Sequence, residues 1–438
     1  DYIGITRQGQ NLYSNSLIAI DGDKGKIKWH FIDTEHDLWD LDISFPPILS
    51  TINYDNENID IVSVISKSGN ILTFEREFGF RIFDYKIQKV NNSLIKEEKN
   101  SPYQKVVIKP KNIVNHSIEK NQLSELRLDI KNNVIEQFDT GSSSMFKPPE
   151  IHKQIFFNGI SGGGQWPGGS INSNGILFAH INLIPWALSI QTKILNDKII
   201  FEDKNNYKKI YIENCSSCHG DKADKIKIGN FDGKYVLMNS LLGISKTKYK
   251  SIDEYIASVK SKHSNLKNKV IEESTKYLIA NDSFQIKKEN IFLEPDLRIF
   301  KDQYENFATK GPWGYLIAVD LEKQKIIWKI PSGSVGIKFN NTNTESLKIA
   351  GSPNWGGLLT TKSGLIFSTG SYDNAVNFYD QKNGNLLYSI DLGGMGSAPP
   401  ITYKIDDTQY ISIVVTGGGQ RSSQKIKKVV TFSLENKK

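Results

Sequence analysis

Cysteine is almost absent from this chain. Two of the 438 residues are cysteines, and both sit in one stretch, "ENCSSCHGDK", residues 213 to 222. That excludes a disulfide framework as the source of stability. Methionine is nearly as scarce, at three residues, which narrows any search for a soft metal ligand. Long apolar runs are missing as well, and none approaches the ~20 residues that span a bilayer as a helix. A one-signed charged face is also lacking. The formal net charge is +7, but acids interleave with the dispersed lysines and no basic face with aromatic platforms emerges, which excludes nucleic acid as a partner. The chain opens "DYIGITRQGQ", with neither an initiator methionine nor a secretory leader, so processing or truncation upstream is expected.

Short alternating strands are what the chain has in plenty. Four segments share a pattern: "IAIDGDKGKIKWHF" from Ile18, "LTFEREFGFRIFDYKI" from Leu72, "IAVDLEKQKIIWKI" from Ile317 and "VNFYDQKNGNLLYSI" from Val376. In each, an acid closes an apolar-alternating strand, a turn follows, and an aromatic arrives eight residues after the acid. The pairs are Asp21 with Trp29, Glu75 with Phe83, Asp320 with Trp328 and Asp380 with Tyr388. Alternation on both sides of a turn is a β-hairpin signature, and a large aromatic at a fixed place in each hairpin is how neighbouring propeller sheets dock. Unrelated hairpins are the plainer alternative. Two further strands precede the second and fourth hairpins: "PPILST" with "IDIVSVISK", and "GGLLTT" with "GLIFSTGS". A third set runs "WPGGSINS", "GILFAHINL" and, after a long interval, "GYLIAVDL"; a fifth runs "APPITYKI", "YISIVVTGG" and "KKVVTFSL". The fold class is therefore an all-β propeller with four-stranded blades A to D, entered partway through one blade and left partway through another. Because open sheet edges invite aggregation, the reading expects missing N-terminal blades of the same protein.

The interval in the third blade contains the cysteines. C-x-x-C-H, here Cys215, Cys218 and His219, is the attachment signature for c-type haem, with thioethers from the thiols and the histidine as proximal iron ligand. A redox disulfide would need a βαβ context, and zinc would need two more ligands. "KKIYIENCSSCHG", "SIDEYIASVKSK" and "KNKVIEESTKYLIAN" read as helices. The domain reading is thus 1–202 propeller, 203–285 inserted small α-helical cytochrome c domain, and 286–438 propeller. No methionine occupies "KSKHSNLKNK"; His263 falls where a distal ligand belongs, and Met238 in "YVLMNSLLG" is the other candidate. The insert leaves and returns between strands about 5 Å apart, and such insertions in surface hairpin loops are tolerated.

Strand order then assigns a face. In an A-down, B-up blade the B–C and D–A connections share one end. The haem insert is a B–C connection and "DTEHDLWDLD", residues 33 to 42, a D–A loop; Lys67 and Asn182 end B strands and Trp355 begins an A strand. Singly, each has a bland role as turn cap, solvated end or docking ring. Together they line one mouth.

The segments "NLYSNSLIAIDGDKGKIKWHFIDTEHDLWDLD", "SKSGNILTFERE", "GGGQWPGGSINSNGILFAHINLIPW", "GPWGYLIAVDLEKQKIIWKIP" and "AGSPNWGGLLTTKSGLIFSTGSYDNAVNFYDQKNGNLLYSIDL" resemble the quinoprotein dehydrogenases that use pyrroloquinoline quinone (PQQ), nearest the glucose-dehydrogenase-like branch. The likeness covers nearly the whole chain outside the cytochrome and a divergent polar stretch, residues 85 to 145. It implies an eight-bladed propeller, of which about five blades are here. It implies Asp40 as the base that takes the substrate hydroxyl proton. Lys67 corresponds to the basic residue at the quinone oxygens, Asn182 to an amide contacting PQQ, Trp355 to an aromatic near its edge, and Gly418, in the Gly417–Gly419 turn, to backbone bordering the cofactor. Calcium is the family's usual ion, with Asp40 and Asp42 as possible ligands here and the others expected upstream of Asp1. Asp42 matches an acid that binds metal in lanthanide-using relatives, although glucose-type members carry it without that dependence. No vicinal disulfide of the kind found beneath PQQ in some relatives can form from this segment.

The reading is a periplasmic quinohaemoprotein dehydrogenase that oxidises a sugar or polyol hydroxyl and passes electrons through haem c to a soluble cytochrome or the respiratory chain. Covalent haem attachment sets the compartment. An alcohol dehydrogenase with the same machinery is one alternative. A non-catalytic propeller scaffold carrying an electron-transfer cytochrome is another, and it would need neither Asp40 nor Lys67.

Overall fold

A computed structural model describes residues 2–194, 204–219, 227–231, 234–238, 252–263, 265–282, 291–340, 347–417 and 425–433. The chain divides into two compact units, Asp1–Gln191 with Leu293–Lys438, and Thr192–Phe292.

In the first unit the repeats are antiparallel sheets. Ser16–Ile20 pairs with Ile27–Ile32; Ile48–Tyr54, Glu57–Ile65 and Ile71–Glu75 form a three-stranded sheet. Gly169–Ile171, Ile176–Asn182, Gly314–Asp320 and Lys325–Pro331 form a four-stranded one, so Ile176–Asn182 finds its partner across the long interval, from Ile176 opposite Asp320 to Asn182 opposite Gly314. Leu358–Thr360, Leu365–Ser368, Ala375–Asp380 and Leu386–Asp391 form another, and Ile401–Ile405, Thr408–Gly417 and Lys425–Ser433 a three-stranded last sheet. Inner strands are buried on both faces. Ile61, Val62, Val64 and Ile65 are all buried, as are Leu316, Ile317, Ala318 and Val319. Such runs lose the alternation of half-covered strands because neighbouring sheets cover both sides.

The recurring acid and aromatic have separate physical roles. The acid caps the turn that follows it: the carboxylate of Asp21 accepts from the backbone N–H of Asp23 and Lys24, that of Glu75 from Glu77 and Phe78, that of Asp320 from Lys323 and that of Asp380 from Lys382. The tryptophans dock between sheets. Trp29 Nε1 donates to the Arg76 carbonyl at 3.0 Å and Trp328 Nε1 to the Gln381 carbonyl at 3.1 Å, in each case the residue just after the next acid. Gly79 and Gly384 lie under those indoles, where a Cβ would come within 2.6 Å of Trp29 and 3.1 Å of Trp328. Phe83 instead turns inward onto Phe74 and Phe31, with centroids at 5.2 and 5.5 Å, and Tyr388 is exposed against Phe378.

Three features go beyond the sequence pattern or depart from it. The second blade forms no regular fourth strand: after a single bridge from Phe74 to Arg81, the chain bends so that Asp84–Lys89 pairs with Tyr103–Lys109. The polar stretch 85–145 is structured, with helix Leu128–Asp139 burying Ile130, Val134 and Phe138 against Phe156 and Phe300. The insert does not branch directly from the third blade's hairpin. Pro185–Ile194 and Ile291–Ile299 lie side by side in a separate sheet with Ile155–Asn158, so paired strands form its stem.

The second unit contains helices Lys204–Asn214, Ser216–His219, Ile252–Lys262 and Asn268–Asp282, and a hairpin, Lys227–Phe231 with Lys234–Met238. Tyr211 is fully buried against Tyr277, with centroids 4.7 Å apart.

Candidate functional site

The site begins in the loop after Ile27–Ile32. Leu38, Trp39 and Leu41 are buried, and the Trp39 indole donates to the Lys147 carbonyl at 2.6 Å. That burial turns the intervening Asp40 and the following Asp42 away from the core. Asp40 holds a left-handed backbone, φ +60°, and His36 does too, at +44°. The His36 ring is fixed between the Gly9 carbonyl at 2.7 Å and Glu98 at 2.6 Å. A non-glycine residue in this region is strained by roughly 1–2 kcal/mol and persists where its surroundings over-determine it.

Lys67 follows the strand Glu57–Ile65. Its ammonium lies 3.0 Å from Asp40 Oδ2 and 2.5 Å from Asp42 Oδ1, and its backbone N–H donates to the Asp42 carbonyl at 3.1 Å. Burial opposes the charged form of Lys67, yet the Asp42 and Asp40 carboxylates outweigh it and the ammonium's pKa rises. Its flanking turn is tied to the same loop by buried Asp33, which accepts from Ser68 Oγ at 2.9 Å and Asn70 Nδ2 at 2.7 Å; burial nonetheless pushes Asp33 upward. The Tyr2 phenol is likewise raised, by burial and then by Asp40, Asp37 and Asp42.

The "GGGQW" loop lies against this turn. Gly163 is at φ +56°, and a Cβ there would meet the carbonyls of Ser66 at 2.2 Å and Lys67 at 2.6 Å, so only glycine fits. Gly164 N–H donates to Ser66, and Gly163 N–H to the Asn182 carbonyl, both at 3.1 Å. Fully buried Asn182 then clamps the next turn: its Nδ2 donates to the Asn354 carbonyl at 3.0 Å and its Oδ1 accepts the Asn354 N–H at 2.8 Å. Trp355, buried, stacks on half-exposed Trp166, centroids 5.5 Å apart at 26°.

The structure thus brings Asp40, Asp42 and Lys67 into direct contact and connects them to Asn182 and Trp355 through Gly163 and Asn354. Gly418 lies outside the described residues. Sequence reasoning passed over Gly163, Gln165, Trp166 and Asp37. The triple glycine before Gln165 was the available signal, since three adjacent glycines mark close backbone approach.

A planar, polyanionic quinone suits these residues. Lys67 supplies a cation, and Trp166 and Trp355 an aromatic wall. For a divalent ion the donor set is short. Among the described residues no group of three or more His, Cys, Asp or Glu could hold a metal, whereas calcium takes six to eight oxygens.

In the second unit Cys215 is half-buried, its Sγ 3.5 Å from Ser274 Oγ. Cys218 is on the short helix with His219; its side chain, like that of Met238, lies outside the described residues. The rings of His219 and His263 meet edge-on, with centroids 6.3 Å apart at 78°. Two imidazoles on one metal, with bonds of about 2.0–2.1 Å and a nitrogen about 1.1 Å from each centroid, would stand roughly 6.2 Å apart. The observed centroid spacing matches that separation.

Repeating docked sheets whose loops gather a carboxylate pair, a lysine and stacked indoles define a propeller-type site. The chain belongs to the glucose/ethanol/alcohol dehydrogenase β-propeller family, the PQQ family, whose model matches residues 1–217 and 237–411. It is 22% identical to quinoprotein glucose dehydrogenase A of Acinetobacter calcoaceticus, over 97% of this chain and 45% of that protein. It is also 22% identical to the glycerol dehydrogenase large subunit of Gluconobacter thailandicus, over 95% of this chain and 48% of the relative. The solved quinohemoprotein alcohol dehydrogenase from Comamonas testosteroni matches at 17% identity with a TM-score of 0.47, over 97% of this chain and 43% of that one. The chain spans about half the length of the curated relatives it matches.

Proposed function

We propose that this chain carries the catalytic half of a PQQ-dependent dehydrogenase that oxidises a sugar or polyol hydroxyl. One observation carries the reading: the Lys67 ammonium is shared between Asp40 and Asp42 on a loop held in strained geometry. PQQ, when bound, supplies the two-electron acceptor. Asp40 accepts the substrate hydroxyl proton. Lys67 places a fixed positive charge where negative charge develops on an adjacent oxygen. Asn182 sets the Asn354 turn and thereby the Trp355 ring, while Trp166 and Trp355 offer an apolar face that excludes water. Asp40 and Asp42 would be the carboxylates available to calcium, and among the described residues they do not make a full set of ligands.

The family match and the glucose and glycerol dehydrogenase names among the relatives support the substrate class. For the haem, the support is the C-x-x-C-H motif and the closeness of the His219 and His263 rings. Cys215 and Cys218 would carry haem c covalently, with His219 proximal and His263 distal. The group supplies one-electron transfer onward to a soluble cytochrome or the respiratory chain. Covalent haem attachment would place the mature protein in the periplasm.

The test is dye reduction by the full-length protein reconstituted with PQQ and calcium, comparing glucose, glycerol and ethanol. Turnover of glucose or glycerol in preference to ethanol supports the proposal. Preference for ethanol makes the protein an alcohol dehydrogenase, and no turnover with any hydroxyl substrate, despite intact haem, makes the propeller a scaffold.

A further inference from the structure

We infer that Asp37 is a positioning residue that holds Asp40 in its reactive geometry. The inference rests on the reading of Asp40 as the base. Asp37 is buried and its carboxylate faces the loop's own backbone. One oxygen, Oδ1, accepts the Trp39 N–H at 2.8 Å; the other, Oδ2, accepts the Leu41 N–H at 2.7 Å. The chain is thereby pinned just before Trp39 and just after Asp40, on either side of the residue with φ +60°. Asn15 Nδ2 donates to Oδ2 at 2.7 Å, and the Arg7 guanidinium donates to the Asp37 carbonyl. Burial pushes the Asp37 carboxyl upward, while the bonds from Trp39, Asn15 and Leu41 oppose that rise.

A carboxylate is suited to this place because it accepts at two oxygens at once. Asparagine offers one acceptor and turns a donor toward the second amide; serine keeps only the short bond two residues on. Either change frees the Leu41 peptide and lets Asp40 leave the left-handed region. A base displaced by about 1 Å loses rate on the order of 10²-fold, while substrate binding elsewhere in the mouth is untouched.

The experiment uses the full-length protein with Asp37→Asn, with Asp37→Ser as the replacement if the first does not fold, and with Asp40→Asn alongside. Two readouts are taken. Steady-state dye reduction is expected to show kcat lowered ~10–100-fold with KM and PQQ uptake nearly unchanged. Amide hydrogen exchange of the protein without PQQ is expected to show lost protection at residues 38–42, with the strand Glu57–Ile65 as protected as before. Wild-type kcat, or wild-type exchange at Leu41, overturns the positioning role, as does a fall in kcat matched by general loss of protection. If Asp40→Asn retains turnover, the base assignment itself fails. If Asp40→Asn abolishes turnover while Asp37→Asn keeps it, only the role of Asp37 fails.

Discussion

Lys67 sits between opposing forces, and its neighbours decide the outcome. Burial alone would discharge an ammonium, but Asp42 and Asp40 reverse that, so the charge persists above the ordinary lysine range. Lys67→Ala in the full-length protein should lower kcat by ~10²–10³-fold, and Lys67→Arg should recover part of it, measured by dye reduction. His180 shows the opposite case. It is buried with Nε2 2.8 Å from Ser368 Oγ, and burial depresses its pKa to about 3. Between pH 6.5 and about 3 the unfolded chain therefore binds a proton that the folded chain excludes. Stability must then fall as pH drops below 6.5, by about 1.4 kcal/mol per pH unit from this residue. His180→Gln should flatten the acid side of a plot of urea midpoint against pH; an unchanged slope would refute the assignment. At this scale strand order puts the loop of Asp40 and Asp42 on one face with Lys67 at a B-strand end, and the family resemblance then singles out those residues. Neither signal picks out Trp166 or Asp37. The indole's partner is Trp355, far along the chain, and the acid's partners are backbone amides, which carry no side-chain signature.

The hairpins show which elements sequence pattern can specify. The acid encodes a capped turn in all four hairpins, a local event, whereas the aromatic eight residues later docks on the next sheet only where it is tryptophan, at Trp29 and Trp328. Pattern fails where pairing is chosen by a distant partner. "DYKIQK" alternates like a fourth blade strand, yet it pairs with Tyr103–Lys109, leaving Phe83 to fill the space between Phe31 and Phe74. The stem Pro185–Ile194 with Ile291–Ile299 was hidden for the same reason. The docking contact itself can be tested. Gly384 combines φ +74° with an indole 3.1 Å from where a Cβ would lie. Gly384→Ala should cost about 1–3 kcal/mol in urea unfolding. Pairing it with Trp328→Phe should cost less than the sum of the two single changes, because the smaller ring leaves room, giving a coupling of about 0.5 kcal/mol or more.

At the scale of the whole chain, two compact units share one polypeptide, and their connection predicts that one can be removed without the other. The first unit is discontinuous in sequence, yet its returning strand Ile291–Ile299 lies beside the departing strand Pro185–Ile194, and Ile176–Asn182 pairs with Gly314–Asp320 across the interval. Both ladders can therefore form with any connection long enough to turn. Loop closure favours a shorter one, by about 0.6 kcal/mol for each halving of a flexible loop. Replacing residues 195–290 with a short Asn-Gly-containing turn should leave the first unit's urea midpoint unchanged or slightly raised. All seven tryptophans lie outside that interval, so indole fluorescence reports the first unit alone. PQQ uptake should survive the excision, because Asp40, Lys67, Asn182 and Trp355 all remain, while the absorbance of the proposed haem should vanish with Cys215, Cys218, His219 and His263. A broadened fluorescence transition or an unfolding free energy lower by several kcal/mol would show that the units fold as one. Retained quinone uptake with lost electron delivery to a cytochrome acceptor would separate the site that takes electrons from the group that passes them on.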